Sequence, residues 1–167
     1  LAQRQFARTA VGIDLGTTKS CVAVARFAEG QILCEAVAID EPGQPQGQIA
    51  MPSVVAVRDG AAIVGHAAKR LARTPQFVQH KGAFSETKNE IGLRHTYARA
   101  PQGFQSATEI AAHLLRHLME ASGLDAKPIA EPAVITVPAS FHGAQRSATL
   151  DAADLAFEQC LQVRLLD

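Results

Sequence analysis

Apolar residues fall into short runs broken by polar, glycine- and proline-bearing segments, and two later stretches repeat them at helical spacing. Residues 10–15 and 20–27 read as two strands joined by a tight polar turn. Residues 32–39 alternate in part, as a half-buried third strand should. Residues 41–47, Glu-Pro-Gly-Gln-Pro-Gln-Gly, are a loop on composition. A strand begins at Met51-Pro52-Ser53-Val54, Asp59-Gly60 marks a hairpin turn, and residues 61–64 return. Residues 65–73 read as a short helix stopped by Thr74-Pro75, because the residue before proline avoids the helical region. Residues 76–105 mix glycine, proline and charge, and predict irregular structure with one short helix or hairpin.

The C-terminal part is more regular. Ser106-Ala107-Thr108-Glu109 is a capping box that opens a helix: the serine oxygen can accept from the Glu109 N–H while the glutamate reaches back. Ile110, Leu114, Leu118 and Ala121 give that helix one apolar face, and Gly123 ends it. Residues 133–137 form a buried strand between Pro132 and Pro138. Residues 141–156 are a helix with a mostly alanine face, expected to pack closely on its sheet. Residues 160–166 are a last strand. Strands separated by helices predict right-handed parallel crossovers. Three antiparallel strands followed by such crossovers describe an α/β fold with a mixed sheet, the ribonuclease H-like or actin-like core.

Composition narrows the function. The chain has 167 residues, enough for one domain and one sizeable core. Sixteen basic residues balance sixteen acidic ones, and with no tryptophan and one tyrosine there is neither a basic patch nor a stacking platform for nucleic acid. No run approaches the ~20 apolar residues needed to span a bilayer. Residues 1–9 lack the apolar region of a secretory signal. The three cysteines, Cys21, Cys34 and Cys160, lie far apart and fit reduced, buried thiols in a cytoplasmic protein. Leu1 stands where an initiator methionine would, so the numbering is expected to begin inside a natural chain. His113 and His117 are four apart on one helix, but no third ligand falls in register for a metal.

The chemistry concentrates in Asp14-Leu15-Gly16-Thr17-Thr18-Lys19-Ser20. Gly16 permits a sharp turn and close backbone approach. Successive N–H groups in such a turn make a concave anion site. Asp14 repels a phosphate unless a divalent cation or its water shell lies between them. The stretch reads either as a nucleotide-phosphate loop on a β-hairpin or as a hairpin with a polar turn. It is neither a Walker loop nor a dinucleotide fingerprint.

Further motifs decide between these. Gly12-Ile13-Asp14-Leu15-Gly16-Thr17-Thr18-x-Ser20-Cys21-Val22-Ala23 resembles the first phosphate motif of the DnaK-type 70-kDa heat-shock chaperones. Met51-Pro52-Ser53-Val54-Val55, Val64-Gly65-x-x-Ala68-Lys69 and Thr87-Lys88-x-x-Ile91-Gly92 resemble that family's next segments, in the same order. Ile135-Thr136-Val137-Pro138-Ala139-x-Phe141-x-x-Ala144-Gln145-Arg146 is similar to its Val-Pro-Ala signature, and Val163-Arg164-Leu165-Leu166 to the strand that follows. The resemblance covers residues 10–73 and 106–167.

The resemblance implies the first lobe of an actin-like ATPase domain, with residues 10–40 and 106–167 as core and 41–105 as a small, trimmed insertion subdomain. It implies that Gly16, Thr17, Thr18 and the Lys19 backbone cradle the phosphates of ATP or ADP. Asp14 would organise Mg²⁺ and nearby K⁺ through water, and Lys88 would face the γ-phosphate and position the attacking water. Pro138 and Arg146 would relay the nucleotide state to a substrate domain. The implied function is ATP-driven protein folding on client polypeptides, with a J-domain co-chaperone and a nucleotide exchange factor, and with no nucleic-acid or membrane partner.

The sequence also departs from the family. Lys19 replaces Asn or Tyr, Asn89 replaces Arg, the stretch between Gly92 and Ser106 is short, and Asp167 stands where Asn is usual. The second lobe and the peptide-binding domain have no counterpart here, so the 167 residues alone are expected to lack ATPase activity. A sugar or acetate kinase of the same superfold shares the Asp-x-Gly-Thr motif but lacks the Val-Pro-Ala stretch. A non-hydrolysing nucleotide sensor is the other alternative.

Overall fold

A computed structural model describes residues 8–75, 77, 82–124, 132–157 and 162–167. Strands β1 (Arg8–Asp14), β2 (Lys19–Ala28) and β3 (Gln31–Ala36) come first. β1 runs antiparallel to β2, with Asp14 opposite Cys21, and β2 runs antiparallel to β3. A short β4 (Met51–Pro52) pairs with the start of β2, placing Lys19 opposite Pro52 and Ser20 opposite Met51. Strands β8 (Ala133–Thr136) and β9 (Val163–Leu166) extend the sheet beyond β1, both parallel. The order across the sheet is β3-β2-β1-β8-β9.

One face of this sheet is the core. Val11, Ile13, Val22, Val24, Ala133 and Ile135 alternate along their strands and are buried. Helix α2 (Ala107–Ala121) covers them with Ile110, Leu114, Leu115 and Leu118. Its start is built as a cap: the Glu109 N–H donates to Ser106 Oγ at 3.2 Å. The return bond goes one residue further back than the capping box predicts, from the Gln105 N–H to Glu109 Oε2 at 2.6 Å. Helix α3 (Gly143–Phe157) buries Ala148, Thr149, Ala152, Ala153 and Ala156. It packs chiefly on α2, not on the sheet as its alanine face suggests. Small side chains let two helices approach closely, and α2 offers the larger apolar partner.

A second, three-stranded sheet holds β5 (Val54–Arg58), β6 (Ala61–Val64) and β7 (Ala83–Ser85) in the order β6-β5-β7. Asp59 and Gly60 have φ of 53° and 78°, the primed turn that a two-residue hairpin favours. Helix α1 (Gly65–Leu71) follows β6, and a 3-10 turn (Thr87–Glu90) follows β7. Tyr97 secures the irregular stretch beyond it. Its hydroxyl donates to Glu90 at 2.8 Å, and its ring lies 5.0 Å from that of Phe84.

Two expectations fail here. β3 is exposed at every residue, with Ile32 at 68% and Leu33 at 52%. It is the edge strand, and nothing among the described residues covers either face. The cysteines are not buried thiols either: Cys34 is exposed on that edge and Cys21 is half-buried. Cys160, with the first residues of the predicted last strand, lies outside the described residues.

Candidate functional site

The 16–19 turn joins β1 to β2 at the end of the sheet where β1 and β8 both terminate. A Cβ on Gly16 would stand 2.1 Å from the Lys19 carbonyl oxygen, so only glycine fits the closed turn. Asp14 is exposed at the mouth of β1. Its neighbour across the parallel ladder is Thr136, whose hydroxyl donates to Asp14 Oδ1 at 2.8 Å. One carboxylate oxygen is thereby fixed. Burial, and then the negative charge of Asp14, push the Cys21 thiol up.

The turn is also held from below. Ser53 is buried between β4 and β5. Its Oγ donates to the Gly16 carbonyl at 2.8 Å, and its N–H donates to the Thr18 carbonyl at 3.0 Å. Ser20 Oγ, itself buried, lies 2.8 Å from Ser53 Oγ.

Lys88 reaches the same place from the 3-10 turn. It lines a small cavity of about 10 Å³ with Gly16, Thr17, Ser53 and Thr87. Its ammonium stands 5.7 Å from the Phe141 ring centre, a cation–π contact. Burial lowers the Lys88 pKa, and the Asp14 carboxylate opposes that shift. A half-buried lysine with a perturbed pKa beside such a cavity is a candidate site residue.

Pro138 and Arg146 lie outside this cavity. Pro138 is exposed just beyond β8. Arg146 donates from Nε to the Phe141 carbonyl at 3.1 Å and pairs with Asp167 at 2.9 Å, which lowers the Asp167 pKa. Phe141 therefore touches both Arg146 and Lys88. Gly92, at φ 77°, sits against the backbone of Gln145 so tightly that a Cβ would come within 2.7 Å. This contact docks the segment after Lys88 on the start of α3.

The histidine pair on α2 separates in function. His113 stacks on Phe104 at 4.3 Å and bonds the Gly103 carbonyl. His117 meets Glu41 at 3.5 Å, without hydrogen-bond geometry. Glu41 also accepts the His66 N–H at 3.1 Å and pairs with the His66 ring. Burial raises the Glu41 pKa, but His117 and His66 outweigh it and leave the carboxyl below its ordinary value. Among the described residues no cluster has the make-up of a metal site, and no helix is long and apolar enough to cross a membrane.

Motif reading points to Asp14, the 16–19 turn and Lys88. It does not find Ser53 or Thr136 as supports, because their partners lie 37 and 122 residues away. Ser53 does sit in the Pro-Ser motif, which marks the position without its role.

Comparison with known proteins identifies the family. The family model described as Hsp70 protein matches residues 10–105 and 86–163. A "Chaperone protein HscA homolog" from Azoarcus sp. (strain BH72) is 38% identical over 172 residues, covering 93% of this chain. A "Chaperone protein DnaK" from Thermus thermophilus is 34% identical over 175 residues, covering 92%. This chain spans 26% of the length of each of these relatives. With the family model covering the Gly16 turn, the Lys88 segment and the Val-Pro-Ala strand together, the chain belongs to the Hsp70 family.

Proposed function

We propose that this chain is the first lobe of an ATP-binding domain, in a protein that uses ATP hydrolysis to drive a chaperone cycle. The observation that carries the reading is the convergence of Lys88 and the Gly16 turn on one cavity, with Asp14 close enough to act on Lys88. These groups come from three separate elements. In this reading Gly16, Thr17, Thr18 and the Lys19 backbone receive the β- and γ-phosphates. A free Asp14 oxygen suits the water shell of Mg²⁺, with K⁺ nearby, because hard cations favour carboxylate and water ligands. When bound, Mg²⁺ neutralises charge on the phosphate oxygens. Lys88 holds the γ-phosphate side and orients water, so catalysis rests on positioning and electrostatics.

The same reading makes Pro138 and Arg146 the relay toward a peptide-binding domain. The contact chain from Arg146 through Phe141 to Lys88 supports it. Client polypeptides, a J-domain co-chaperone and a nucleotide exchange factor are then the partners of the whole protein, in the cytoplasm. The 167 residues alone lack measurable turnover. A fluorescent-ATP titration of them that gave micromolar affinity, or steady hydrolysis, would overturn that point. The main test is Lys88→Ala in the natural full-length protein. Loss of one preorganised cationic group should slow single-turnover hydrolysis by roughly 10²-fold. Unchanged hydrolysis refutes the assignment of Lys88.

A further inference from the structure

We infer that Ser53 is a positioning residue for the phosphate turn: it holds two carbonyls inward and so turns the Thr17 and Lys19 N–H groups outward as anion donors. The inference rests on the nucleotide reading of the 16–19 turn. Its physical basis is peptide geometry. A trans peptide unit carries its C=O and the next residue's N–H on opposite edges of one plane. The Gly16 carbonyl accepts from Ser53 Oγ at 2.8 Å, so the Thr17 N–H on the same plane points away from Ser53. The Thr18 carbonyl accepts from the Ser53 N–H at 3.0 Å, so the Lys19 N–H points away as well. One residue thus sets the orientation of alternate peptides in the turn.

Three further observations make this more than ordinary packing. Ser53 is 4% exposed, so its hydroxyl has no competing water to bond. Ser20, 1% exposed, lies 2.8 Å from the same hydroxyl and fixes its rotamer. Gly16 has no Cβ and its peptides are otherwise free to flip, which is the motion these bonds prevent. Without Ser53, the Gly16 carbonyl could turn outward and present an oxygen to an anion instead of a donor. Ser53 stands between β4, which pairs with β2, and β5, so the turn's orientation is set by a segment outside its own hairpin.

The test uses the natural full-length protein with Ser53→Ala, Ser53→Cys and Ser53→Thr. Cysteine nearly preserves volume while giving a much weaker donor, and threonine keeps the hydroxyl. Two quantities are read: amide hydrogen exchange of the turn peptide without ligand, and MgADP affinity by titration. Ser53→Ala and Ser53→Cys should speed exchange across the turn and weaken MgADP by about 10–100-fold, as the loss of one hydrogen bond to a charged group does. Ser53→Thr should restore both. A lower melting temperature with unchanged turn exchange and unchanged affinity overturns the inference, because that is the signature of a purely structural serine. If Ser53→Ala does not fold, the cysteine variant decides by the same two readings. If the wild-type protein itself does not bind MgADP, the nucleotide reading fails, and the exchange measurement still decides whether Ser53 orients the turn.

Discussion

Replacing Gly16 by alanine tests the turn directly. The new Cβ would stand 2.1 Å from the Lys19 carbonyl oxygen and 3.3 Å from its carbon. A carbon and an oxygen in ordinary contact stay about 3.3–3.6 Å apart, so the turn must open by roughly 1.2 Å. Lys19 cannot yield alone. It pairs with Pro52, and the preceding carbonyl is held by the Ser53 N–H at 3.0 Å. The strain therefore spreads into β2 and β4. Overpacking of this kind costs about 1–3 kcal/mol. Stiffening the unfolded chain by a Gly→Ala change returns about 0.4–1 kcal/mol. A net loss of about 1–2 kcal/mol should appear in urea unfolding as a lower midpoint with an unchanged slope. The displaced donors should also weaken MgADP binding by the full-length protein by about 10–100-fold, the worth of one hydrogen bond to a charged group. A Gly16→Ala protein with the wild-type unfolding midpoint and wild-type affinity would refute the account of why this turn is closed.

Three more outcomes follow from particular contacts. Glu41→Gln removes a buried charged acceptor and should cost about 1–3 kcal/mol at pH 7. The Glu41 pKa is depressed in the fold, so this stability is present above the unfolded carboxyl value and is lost as pH falls through the lower folded one. Urea curves for variant and wild type should converge in acid; a gap independent of pH contradicts the Glu41–His66–His117 bridge. Thr136→Val deletes the donor to Asp14 and should shrink the affinity difference between MgADP and metal-free ADP, while Thr136→Ser keeps it. Leu115→Ala opens a cavity at a fully buried position of α2 and should destabilise by about 2–5 kcal/mol in calorimetry or urea; a smaller loss means the α2–sheet interface collapses readily.

What the sequence made legible is what local chemistry dictates. The Asp14-to-Ser20 stretch carries its own turn signal. The Asp59-Gly60 hairpin and the Ser106 cap are likewise set by residues within a few positions of each other. The third strand misled because alternation assumes a partner layer, and β3 lies at the sheet edge where no layer reaches it. The alanine face of α3 announced close packing without naming the partner, and α2 took the place given to the sheet. Thr136 and Ser53 were invisible as supports for the same reason. A strand register 122 residues apart, or a bond across 37, leaves no periodic trace in the sequence. The motifs mark those positions, and only the assembled fold shows what they hold.

If the Gly16 turn receives phosphates as proposed, its geometry implies weak binding by these residues alone. Asp14, Thr18 and Lys19 are exposed, and the cavity beside Gly16 and Lys88 is about 10 Å³. That is the lower limit for one water and far too small for a phosphate. A small ligand normally buries most of its surface in a cleft of about 300 Å³ or more, so the described residues around Gly16 and Lys88 offer one wall and not a pocket. Free energies from two walls add, so their affinities multiply. A wall worth about 4 kcal/mol holds a ligand near millimolar, and two such walls reach about micromolar. The wall seen here is nonetheless preorganised. Ser53, Thr136 and Lys88 fix its donors, its carboxylate and its cation from three different elements before any ligand arrives. A second wall therefore needs only to meet this one, and the work of ordering the turn is already done by the fold.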